Sequence, residues 1–295
     1  MKQSEAKRSG TVALAGAPNV GKSTLLNAML GTRLSITTPK PQTTRNRIMG
    51  IVAHGSTQIA FTDTPGIHQP RVALQERMVS EARRETAGAD LVCWLVGAER
   101  GLGRTDRREA PRLLDRPLLV VINKIDLVPA PRLLPLMAEL AELFSGAECL
   151  PLSARSGEGV GALLSRISEL LPARPWAYPA DTLTDRDERF LVAETIREQL
   201  LRQLHEEVPY RTAVKIESFE ERPGGAYIEA DVYTDSDSTK AMIIGAGGAR
   251  IKEIGKAARH AASKITGRRS IYLDLRVRVK KDWQNDPRFL DELDG

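Results

Sequence analysis

A glycine-rich stretch near the start of the chain has the residue types and spacing to hold nucleotide phosphates. Residues 16–23, Gly-Ala-Pro-Asn-Val-Gly-Lys-Ser, fit the pattern G-x-x-x-x-G-K-[ST]. Such glycines let backbone N–H groups close around phosphate oxygens, and a following helix adds its positive dipole end. The lysine then reaches the β- and γ-phosphates, and the serine hydroxyl ligates Mg²⁺. The predicted phosphate-binding residues are Gly16, Asn19, Val20, Gly21, Lys22, Ser23 and Thr24.

A second motif, Asn-Lys-Ile-Asp at residues 123–126, follows a later apolar run and indicates which base is bound. The Asp126 carboxylate can accept two hydrogen bonds from guanine N1–H and N2–H₂. Adenine has no donors at these positions and would leave the carboxylate unpaired. Ser153-Ala154 follows the next apolar run and can supply a backbone N–H to guanine O6. The predicted guanine-binding residues are Asn123, Lys124, Asp126, Ser153 and Ala154.

Two further segments carry residues suited to sensing a γ-phosphate. Residues 63–66, Asp-Thr-Pro-Gly, fit D-x-x-G, in which Asp63 holds Mg²⁺ through water and the Gly66 N–H meets the γ-phosphate. A threonine, Thr44 in preference to Thr43, is expected to close over Mg²⁺ in the triphosphate state. A loop ordered in this way is a switch. Switch I is predicted at Gln42, Thr43, Thr44, Arg45 and Asn46, and switch II at Asp63, Thr64, Pro65, Gly66 and Ile67.

The residue that follows the D-x-x-G glycine bears on the rate of hydrolysis. In Ras-type enzymes a glutamine there orients the attacking water. Ile67 takes that position in this chain and has neither a donor nor an acceptor. We therefore expect slow unaided turnover, on the order of the unstimulated Ras rate. His68 and Gln69 are nearby polar candidates, although a surface role is the more ordinary account of both.

The elements that must position these motifs follow from the hydrophobic pattern. Short apolar runs predict strands at 11–15, 58–62, 91–96, 118–122 and 148–151. Amphipathic patterns predict helices at 23–30, 72–86, 106–114, 133–143 and 160–170. Alternating strands and helices predict a doubly wound α/β domain with a mostly parallel sheet, and the motifs that it carries indicate an α/β P-loop GTPase domain.

The pattern changes after a proline-containing stretch. Residues 188–206 predict a helix, 213–219 and 227–233 predict strands, two helices flank residues 245–248, and 270–280 predict a last strand. This α-β-β-α-α-β order predicts a small α+β domain. The predicted divisions are a flexible N-terminus at 1–9, a GTPase domain at 10–172, a linker at 173–187, the α+β domain at 188–282 and a tail at 283–295.

Charge is distributed unevenly along the chain. Residues 240–281 contain twelve basic and two acidic residues, a net charge of +10, whereas the whole chain carries +5. Clustered lysines and arginines favour a polyanion because binding releases condensed counterions. A solvated basic face is the alternative.

No apolar run is long enough for a membrane span and no secretory signal precedes the first domain, so a cytoplasmic protein is expected. Cys93 and Cys149 are expected to be ordinary buried thiols.

Taken together, these motifs resemble those of the bacterial ribosome-assembly GTPases. Within that group, Pro-Gln-Thr-Thr-Arg-Asn-Arg-Ile at 41–48 and Asp-Thr-Pro-Gly-Ile-His at 63–68 are similar to the Era family. The resemblance covers residues from about 10 to 286. It implies that the protein binds GTP and GDP with Mg²⁺, hydrolyses GTP, and engages the 3′ end of small-subunit ribosomal RNA during assembly of the small ribosomal subunit. It also implies a monomer with loose association to the inner face of the cytoplasmic membrane.

The resemblance adds two site predictions. Asn19 matches a position that holds a potassium ion against the phosphates, although asparagine also tolerates an unusual backbone angle there. The loop at 245–248 resembles the G-x-x-G loop of a type II KH domain, which binds about four nucleotides of single-stranded RNA. Both x positions, Ala246 and Gly247, lack the basic residue usual in the family. The predicted RNA-binding residues are Ile243, Ile244, Gly245, Ala246, Gly247, Gly248, Arg250, Lys252 and Lys256.

Several roles in the C-terminal part stay open. Ile251 and Ile254 are expected to complete the apolar floor of the RNA site. Six further cations either extend the RNA surface or solvate the last strand: Arg268, Arg269, Arg276, Arg278, Lys280 and Lys281. Trp283 and Phe289 are expected to pack in the tail rather than stack on bases. Two alternatives remain, a signalling GTPase whose C-terminal domain binds protein or the membrane surface, and an RNA-binding module with a non-hydrolysing nucleotide clamp.

Overall fold

The chain forms two compact units. The computed structural model describes residues 7–38, 40 and 43–294. The first unit extends to Asp185, except for Ile36–Thr43 and Arg71–Glu76, which belong to the second unit with the chain from Arg186 onward. Within the described residues, no helix combines the length and apolar character needed to cross a membrane.

The first unit is built on one six-stranded sheet. Its strands are β1 (Arg8–Gly16), β2 (Ile48–His54), β3 (Thr57–Asp63), β4 (Leu91–Gly97), β5 (Leu118–Asn123) and β6 (Glu148–Pro151), in the order β2-β3-β1-β4-β5-β6. All neighbours pair in parallel except β2, which is antiparallel to β3. The helices are α1 (Lys22–Leu30), α2 (Ala73–Gly88), α3 (Arg104–Glu109), α4 (Leu133–Leu143) and α5 (Val160–Leu170). The predicted α/β class with a mostly parallel sheet is confirmed.

The continuous apolar runs occupy the centre of this sheet. Every residue of β4 is buried, and β5 is buried after its first residue. Helices on both faces exclude water from such strands, which is why the runs do not alternate with polar residues. The nucleotide motifs begin where β1, β3 and β5 end. Carboxyl ends of parallel strands share one edge, so the topology brings motifs distant in sequence to one place.

β2 is absent from the predicted strands, and some predicted boundaries differ from those of the structure. β2 and β3 form a hairpin through Gly55, which has φ 58°. Glycine between two apolar runs is a hairpin signal that could have identified β2. β1 begins at Arg8, inside the segment predicted to be flexible, whereas residues 1–6 lie outside the described part. α3 ends at Glu109, earlier than predicted, and a 3₁₀ turn over Ala110–Arg112 follows.

The second unit packs helices against a three-stranded sheet. Its strands are β7 (Thr212–Arg222), β8 (Gly225–Thr234) and β9 (Ser270–Val279), in that order, with β7 antiparallel and β9 parallel to β8. Its helices are α6 (Glu188–Gln203), α7 (Asp237–Ile244), α8 (Ala249–Thr266) and α9 (Pro287–Asp294). Val192 and Ile196 of α6, Ile228 of β8 and Ala258 of α8 meet in its core. The predicted α-β-β-α-α-β order is present.

The segment predicted as a tail is structured. Trp283 is fully buried, and its indole Nε1 donates to the Arg211 carbonyl oxygen at 3.1 Å. Phe289, on α9, is also buried and lies edge-on to Tyr233 with ring centroids 4.8 Å apart. Both aromatic rings therefore serve packing within this unit, and neither is available to stack on a base.

Candidate nucleotide and RNA sites

In and beside the loop between β1 and α1, glycines stand where even a Cβ atom would clash with a neighbouring segment. Gly21 has φ 100°, and a Cβ added there would lie 2.2 Å from Asn123 Nδ2. A Cβ on Gly66 would lie 2.8 Å from the Cα of Pro18. The D-x-x-G glycine thus lies against the phosphate loop because it has no side chain. Asn19 adopts a left-handed conformation with φ 64°, so its backbone does use the tolerance expected of asparagine.

Lys22 lies inside this loop. Its side-chain ammonium donates to the carbonyl oxygens of Ala17 at 3.0 Å and Gly16 at 3.4 Å. Burial lowers the pKa of Lys22 to about 8, against an opposing effect of the nearby Asp63 carboxylate. A lysine ammonium that is buried among backbone carbonyl groups is suited to bind a phosphate, because the phosphate supplies the negative charge that the desolvated ammonium lacks.

Three oxygen-bearing side chains meet beside the loop and fit a magnesium ion. The Ser23 and Thr44 hydroxyl oxygens are 2.9 Å apart, and the Thr44 hydroxyl donates to Asp63 Oδ2 at 3.3 Å. Asp63 is fully buried, and its other oxygen, Oδ1, accepts no hydrogen bond from the described residues. Burial raises the pKa of Asp63, while Lys22 and the neighbouring hydroxyls oppose the rise. Mg²⁺ prefers such oxygen donors and usually retains waters and substrate phosphates as its other ligands.

The structure distinguishes the two candidate switch I threonines. The Thr43 hydroxyl donates to the Lys40 carbonyl oxygen at 2.8 Å and lies 3.1 Å from the Thr38 hydroxyl. Thr44, by contrast, is buried beside Ser23 and Asp63. This arrangement favours Thr44 as the metal-binding threonine. Gln42 lies outside the described residues, and Arg45 and Asn46 occupy irregular backbone before β2.

After Asp63, switch II contributes backbone rather than side chains to the site. Ile67 is 1% exposed and packs in the core of the first unit, while its N–H donates to the Gly16 carbonyl oxygen at 3.0 Å. Thr64 is also buried, and its hydroxyl donates to the Leu14 carbonyl oxygen at 2.9 Å. A ring nitrogen of His68 lies 2.8 Å from the Gly66 carbonyl oxygen. No side chain here is placed as the Ras glutamine would be, in agreement with the expectation from Ile67.

Asn123 acts as a clamp rather than as an exposed base contact. Its side chain is buried, and its Nδ2 donates to the Val20 carbonyl oxygen at 2.8 Å. Its Oδ1 accepts from the backbone N–H groups of Lys124 at 2.8 Å and Ala154 at 2.9 Å. Of the Ser153-Ala154 pair predicted to supply a backbone N–H to guanine O6, the Ala154 N–H therefore donates to Asn123 in this structure, and the Ser153 N–H donates to the Glu158 carbonyl oxygen at 2.9 Å. Three chain segments are joined by one amide, a role that sequence spacing could not show.

The group best placed to recognise the base is Asp126. It is exposed, and its Oδ1 accepts from the Ser153 hydroxyl at 2.6 Å, which fixes the carboxylate while leaving Oδ2 available. Lys124 takes a left-handed backbone with φ 65°, and its ammonium lies 2.5 Å from Glu99 Oε1. Glu99 was missed by the sequence analysis because it belongs to no motif. Its carboxylate holds the lysine of the base motif in place.

The glycine loop of the second unit takes backbone conformations that favour glycine. Gly245, Gly247 and Gly248 all have positive φ, at 73°, 58° and 78°. A Cβ on Gly245 would lie 2.8 Å from the Cβ of Arg250. Ala246 and Gly247 are exposed, so the loop presents backbone to solvent between α7 and α8. The Arg250 guanidinium donates to the Met242 carbonyl oxygen at 2.7 Å and so caps the end of α7.

Part of the predicted apolar floor is wrong. Ile243 and Ile254 are each 0% exposed and belong to the domain core, so neither can touch a base. The helical period turns these two side chains inward, whereas Ile244 and Ile251 remain half-buried. Met242 is 47% exposed beside the loop and supplies apolar surface that the sequence analysis overlooked.

The basic segment divides into paired and unpaired cations. Arg268 bonds to Glu188 and Glu221. Arg276 pairs with Glu229 and Asp274, Arg278 with Asp231, and Lys280 with Asp286. Most of the cations on and beside β9 that could have extended the RNA surface are therefore neutralised by carboxylates. Other cations form no ion pair with any described residue, namely Lys240, Arg250, Lys252, Lys256, Arg259, Lys264, Arg269 and Lys281.

Comparison with known proteins agrees with this two-part organisation. Residues 11–124 match the family model of the 50S ribosome-binding GTPases, and residues 207–284 match the KH domain. GTPase Era of Geobacter metallireducens is 44% identical, over 97% of this chain and 97% of the relative. GTPase Era of Lactobacillus delbrueckii subsp. bulgaricus is 42% identical, over 99% of this chain and 98% of the relative.

Two solved structures resemble the whole chain. An Aquifex aeolicus Era variant bound to GDP and AlF4⁻ has a TM-score of 0.93 and 38% identity, covering 97% of this chain and 98% of its own. A structure of Era in complex with MgGDPNP and nucleotides 1506–1542 of 16S ribosomal RNA has a TM-score of 0.94, with the same identity and coverage. Since these matches extend across both units, the chain belongs to the Era family of GTPases.

Proposed function

We propose that this GTPase is a magnesium-dependent switch whose C-terminal unit binds the 3′ region of small-subunit ribosomal RNA and assists assembly of the small ribosomal subunit. The observation that carries the nucleotide assignment is the cluster of Ser23, Thr44 and Asp63 oxygens beside Lys22, in which Thr44 and Asp63 are buried and Ser23 is half-buried. The RNA assignment is supported by the exposed glycine loop and by the related Era that was solved with 16S ribosomal RNA.

The residues divide the chemistry between them. Backbone N–H groups of the phosphate loop and the Lys22 ammonium bind the phosphates, and Asp126 selects guanine. Ser23 and Thr44 would ligate Mg²⁺, with Asp63 holding one of its waters. An ion held by these residues would neutralise negative charge on the phosphates. Among the described residues that follow Gly66, neither Ile67 nor His68 is placed to orient the attacking water, since Ile67 is buried and a ring nitrogen of His68 lies 2.8 Å from the Gly66 carbonyl oxygen. Slow hydrolysis suits a switch that persists until a partner ends it.

The test of the RNA assignment is binding of full-length protein to an oligonucleotide of the small-subunit ribosomal RNA 3′ end. Binding is measured with GDP and with a non-hydrolysable GTP analogue, over a salt series, beside a scrambled oligonucleotide. Tighter binding of the authentic sequence in the GTP state is expected. Equal and weak binding of both sequences would instead favour a signalling GTPase whose basic surface meets protein or membrane. A single-turnover GTP assay separates a slow enzyme from a non-hydrolysing clamp.

Three finer assignments belong to this proposal. The protein is proposed to act as a monomer, and sedimentation at micromolar concentration tests that state. Loose contact with the inner face of the cytoplasmic membrane would use the basic surface, and co-sedimentation with anionic vesicles tests it. Potassium is proposed to act beside Asn19. Equal hydrolysis rates in potassium and sodium buffers of matched ionic strength would remove potassium from the mechanism and leave Asn19 as a backbone residue.

A further inference from the structure

The exposed side of α8 carries cations well past the glycine loop. This set, here called the α8 stripe, consists of Lys252, Lys256, Arg259 and Lys264. At 3.6 residues per turn the first three lie within about 60° of one another around the helix axis, and Lys264 lies about 80° beyond Lys256 on the same exposed side. All four are exposed, and none forms an ion pair with a described residue. At 1.5 Å per residue, the stripe is about 18 Å long. Only its first two members lie close to the loop in sequence.

The first three of these cations oppose helix stability, whereas Lys264 lies in the last turn of α8, where the helix dipole favours a cation. Lys252 lies in the first turn of α8, near the positive end of the helix dipole, and that turn contains no acidic residue. Lys252 and Lys256 are four residues apart, and Lys256 and Arg259 are three apart, so like charges face each other along one side. Glu253 is the one acidic residue in α8. Uncompensated repulsion of this kind is relieved when a polyanion binds.

The rest of the same unit shows the opposite arrangement. On β9 and its flanks, Arg268, Arg276, Arg278 and Lys280 each have a carboxylate partner. The unit therefore neutralises the cations of β9 and leaves those on α8 unpaired, although Arg269 and Lys281 beside the ends of β9 form no ion pair with a described residue either. A basic composition by itself does not distinguish these two surfaces, because the difference lies in where the acidic residues are placed. Unpaired exposed cations release the most counterions when they contact phosphate.

We infer that the α8 stripe binds the phosphate backbone of the same RNA beyond the nucleotides held by the glycine loop, with Arg259 and Lys264 making the additional contacts. This inference rests on the proposed RNA function. A glycine loop of this type holds about four nucleotides, so the additional contacts need a longer RNA. The stripe consists of charged side chains without an aromatic ring, and it therefore adds affinity that does not depend on base sequence.

The test compares two doubly substituted full-length proteins of equal net charge. Arg259→Gln/Lys264→Gln removes two unpaired cations from α8, and Arg276→Gln/Arg278→Gln removes two paired cations from β9. Fluorescence anisotropy measures binding of a 16-nucleotide and a 4-nucleotide single-stranded RNA of the ribosomal 3′ sequence, over a salt series. Circular dichroism and thermal melting establish that both variants are folded.

For the 16-nucleotide RNA, the negative slope of log K against log salt should be less steep in the α8 variant by about 1.4, at about 0.7 for each lost phosphate contact. That corresponds to a loss of roughly 25-fold in affinity at 0.1 M salt. Its binding of the 4-nucleotide RNA should equal that of the wild type. The β9 variant should lose less than about threefold on either RNA, because its arginines are already neutralised.

The outcomes separate the two proposals. If the wild type binds neither RNA, the proposed RNA function fails. If the wild type binds the long RNA and both variants bind it with the wild-type slope, the stripe has no RNA role and this inference alone is overturned. Vesicles containing phosphatidylserine form a further arm. Loss of vesicle binding by the α8 variant with unchanged RNA binding would assign the stripe to a membrane surface and likewise overturn the inference.

Discussion

Replacing Asn123 by alanine should destabilise the nucleotide-free protein far more than its place in a guanine motif suggests. The amide makes three hydrogen bonds, to the backbone groups of Val20, Lys124 and Ala154, at 2.8–2.9 Å. The side chain is 1% exposed. Alanine would leave these backbone groups without their partner at a buried position, at a cost of about 1–3 kcal/mol for each. Because water can reach part of the cavity, we expect a total near 4 kcal/mol rather than the full sum.

The matched control is Asp126→Ala. Asp126 is exposed and accepts one hydrogen bond, from Ser153, so its loss should cost under about 1 kcal/mol of stability. It should nevertheless remove the preference for guanine. Both variants are unfolded with urea in the absence of nucleotide, and the transition of the first unit is followed by circular dichroism. With a slope of about 1–3 kcal/mol per molar urea, the Asn123 midpoint should fall by more than 1 M.

The reasoning would be refuted by one pattern of results. If Asn123→Ala unfolds at the wild-type urea concentration yet binds GDP as poorly as Asp126→Ala, the amide acts on the nucleotide and not on the scaffold. Hydrogen exchange offers an independent measure. The Ala154 amide is expected to exchange faster in Asn123→Ala and at the wild-type rate in Asp126→Ala.

Three further predictions concern other parts of the molecule. Burial lowers the pKa of Lys22 to about 8 in the folded protein. Between pH 8 and about 10 the Lys22 amine is therefore protonated in the unfolded state but not in the folded state. The free energy of unfolding of the nucleotide-free protein should rise in this range by up to about 1.4 kcal/mol per pH unit. The rise, measured as urea midpoints, should be absent in Lys22→Met. Glu99→Gln removes the ion pair that holds Lys124. A loss of about 1 kcal/mol in GDP binding free energy should raise the dissociation rate of a fluorescent GDP several-fold. An unchanged dissociation rate would exclude a positioning role for Glu99. Trp283→Ala should destabilise the second unit by about 3–5 kcal/mol and Trp283→Phe by less, as read from calorimetric melting, and equal melting of all three proteins would contradict its core position.

The nucleotide site could be predicted from sequence because its requirements are local. A phosphate loop needs glycines where the backbone bends, and Gly21 is excluded from bearing a side chain by the Asn123 amide 2.2 Å from its Cβ position. Such constraints leave fixed spacings along the chain. Strands β4 and β5 were equally visible, since burial on both faces demands an uninterrupted apolar run.

The features that sequence did not reveal depend on contacts between distant segments. No sequence pattern near Glu99 identifies it as the partner of Lys124. The motif sequence likewise does not indicate that the Asn123 side chain forms its hydrogen bonds with backbone groups. Ile243 was assigned to the RNA surface because it adjoins the glycine loop, yet its place on α7 turns it into the core. Proximity in sequence to a functional loop is a weaker guide than the face on which a side chain lies.

The basic segment shows why charge counted along a chain is ambiguous in a folded domain. Its net charge of +10 includes Arg276 and Arg278, whose partners Glu229 and Asp231 lie on the neighbouring strand β8 and outside the counted segment. Parallel pairing of β8 with β9 places Glu229 opposite Asp274 and Asp231 opposite Arg276, so register decides which cations are neutralised. The exposed side of α8 meets no strand that could supply such partners, and its cations remain open to solvent. Polyanion affinity should therefore follow the unpaired cations of α8 rather than the total charge of the segment.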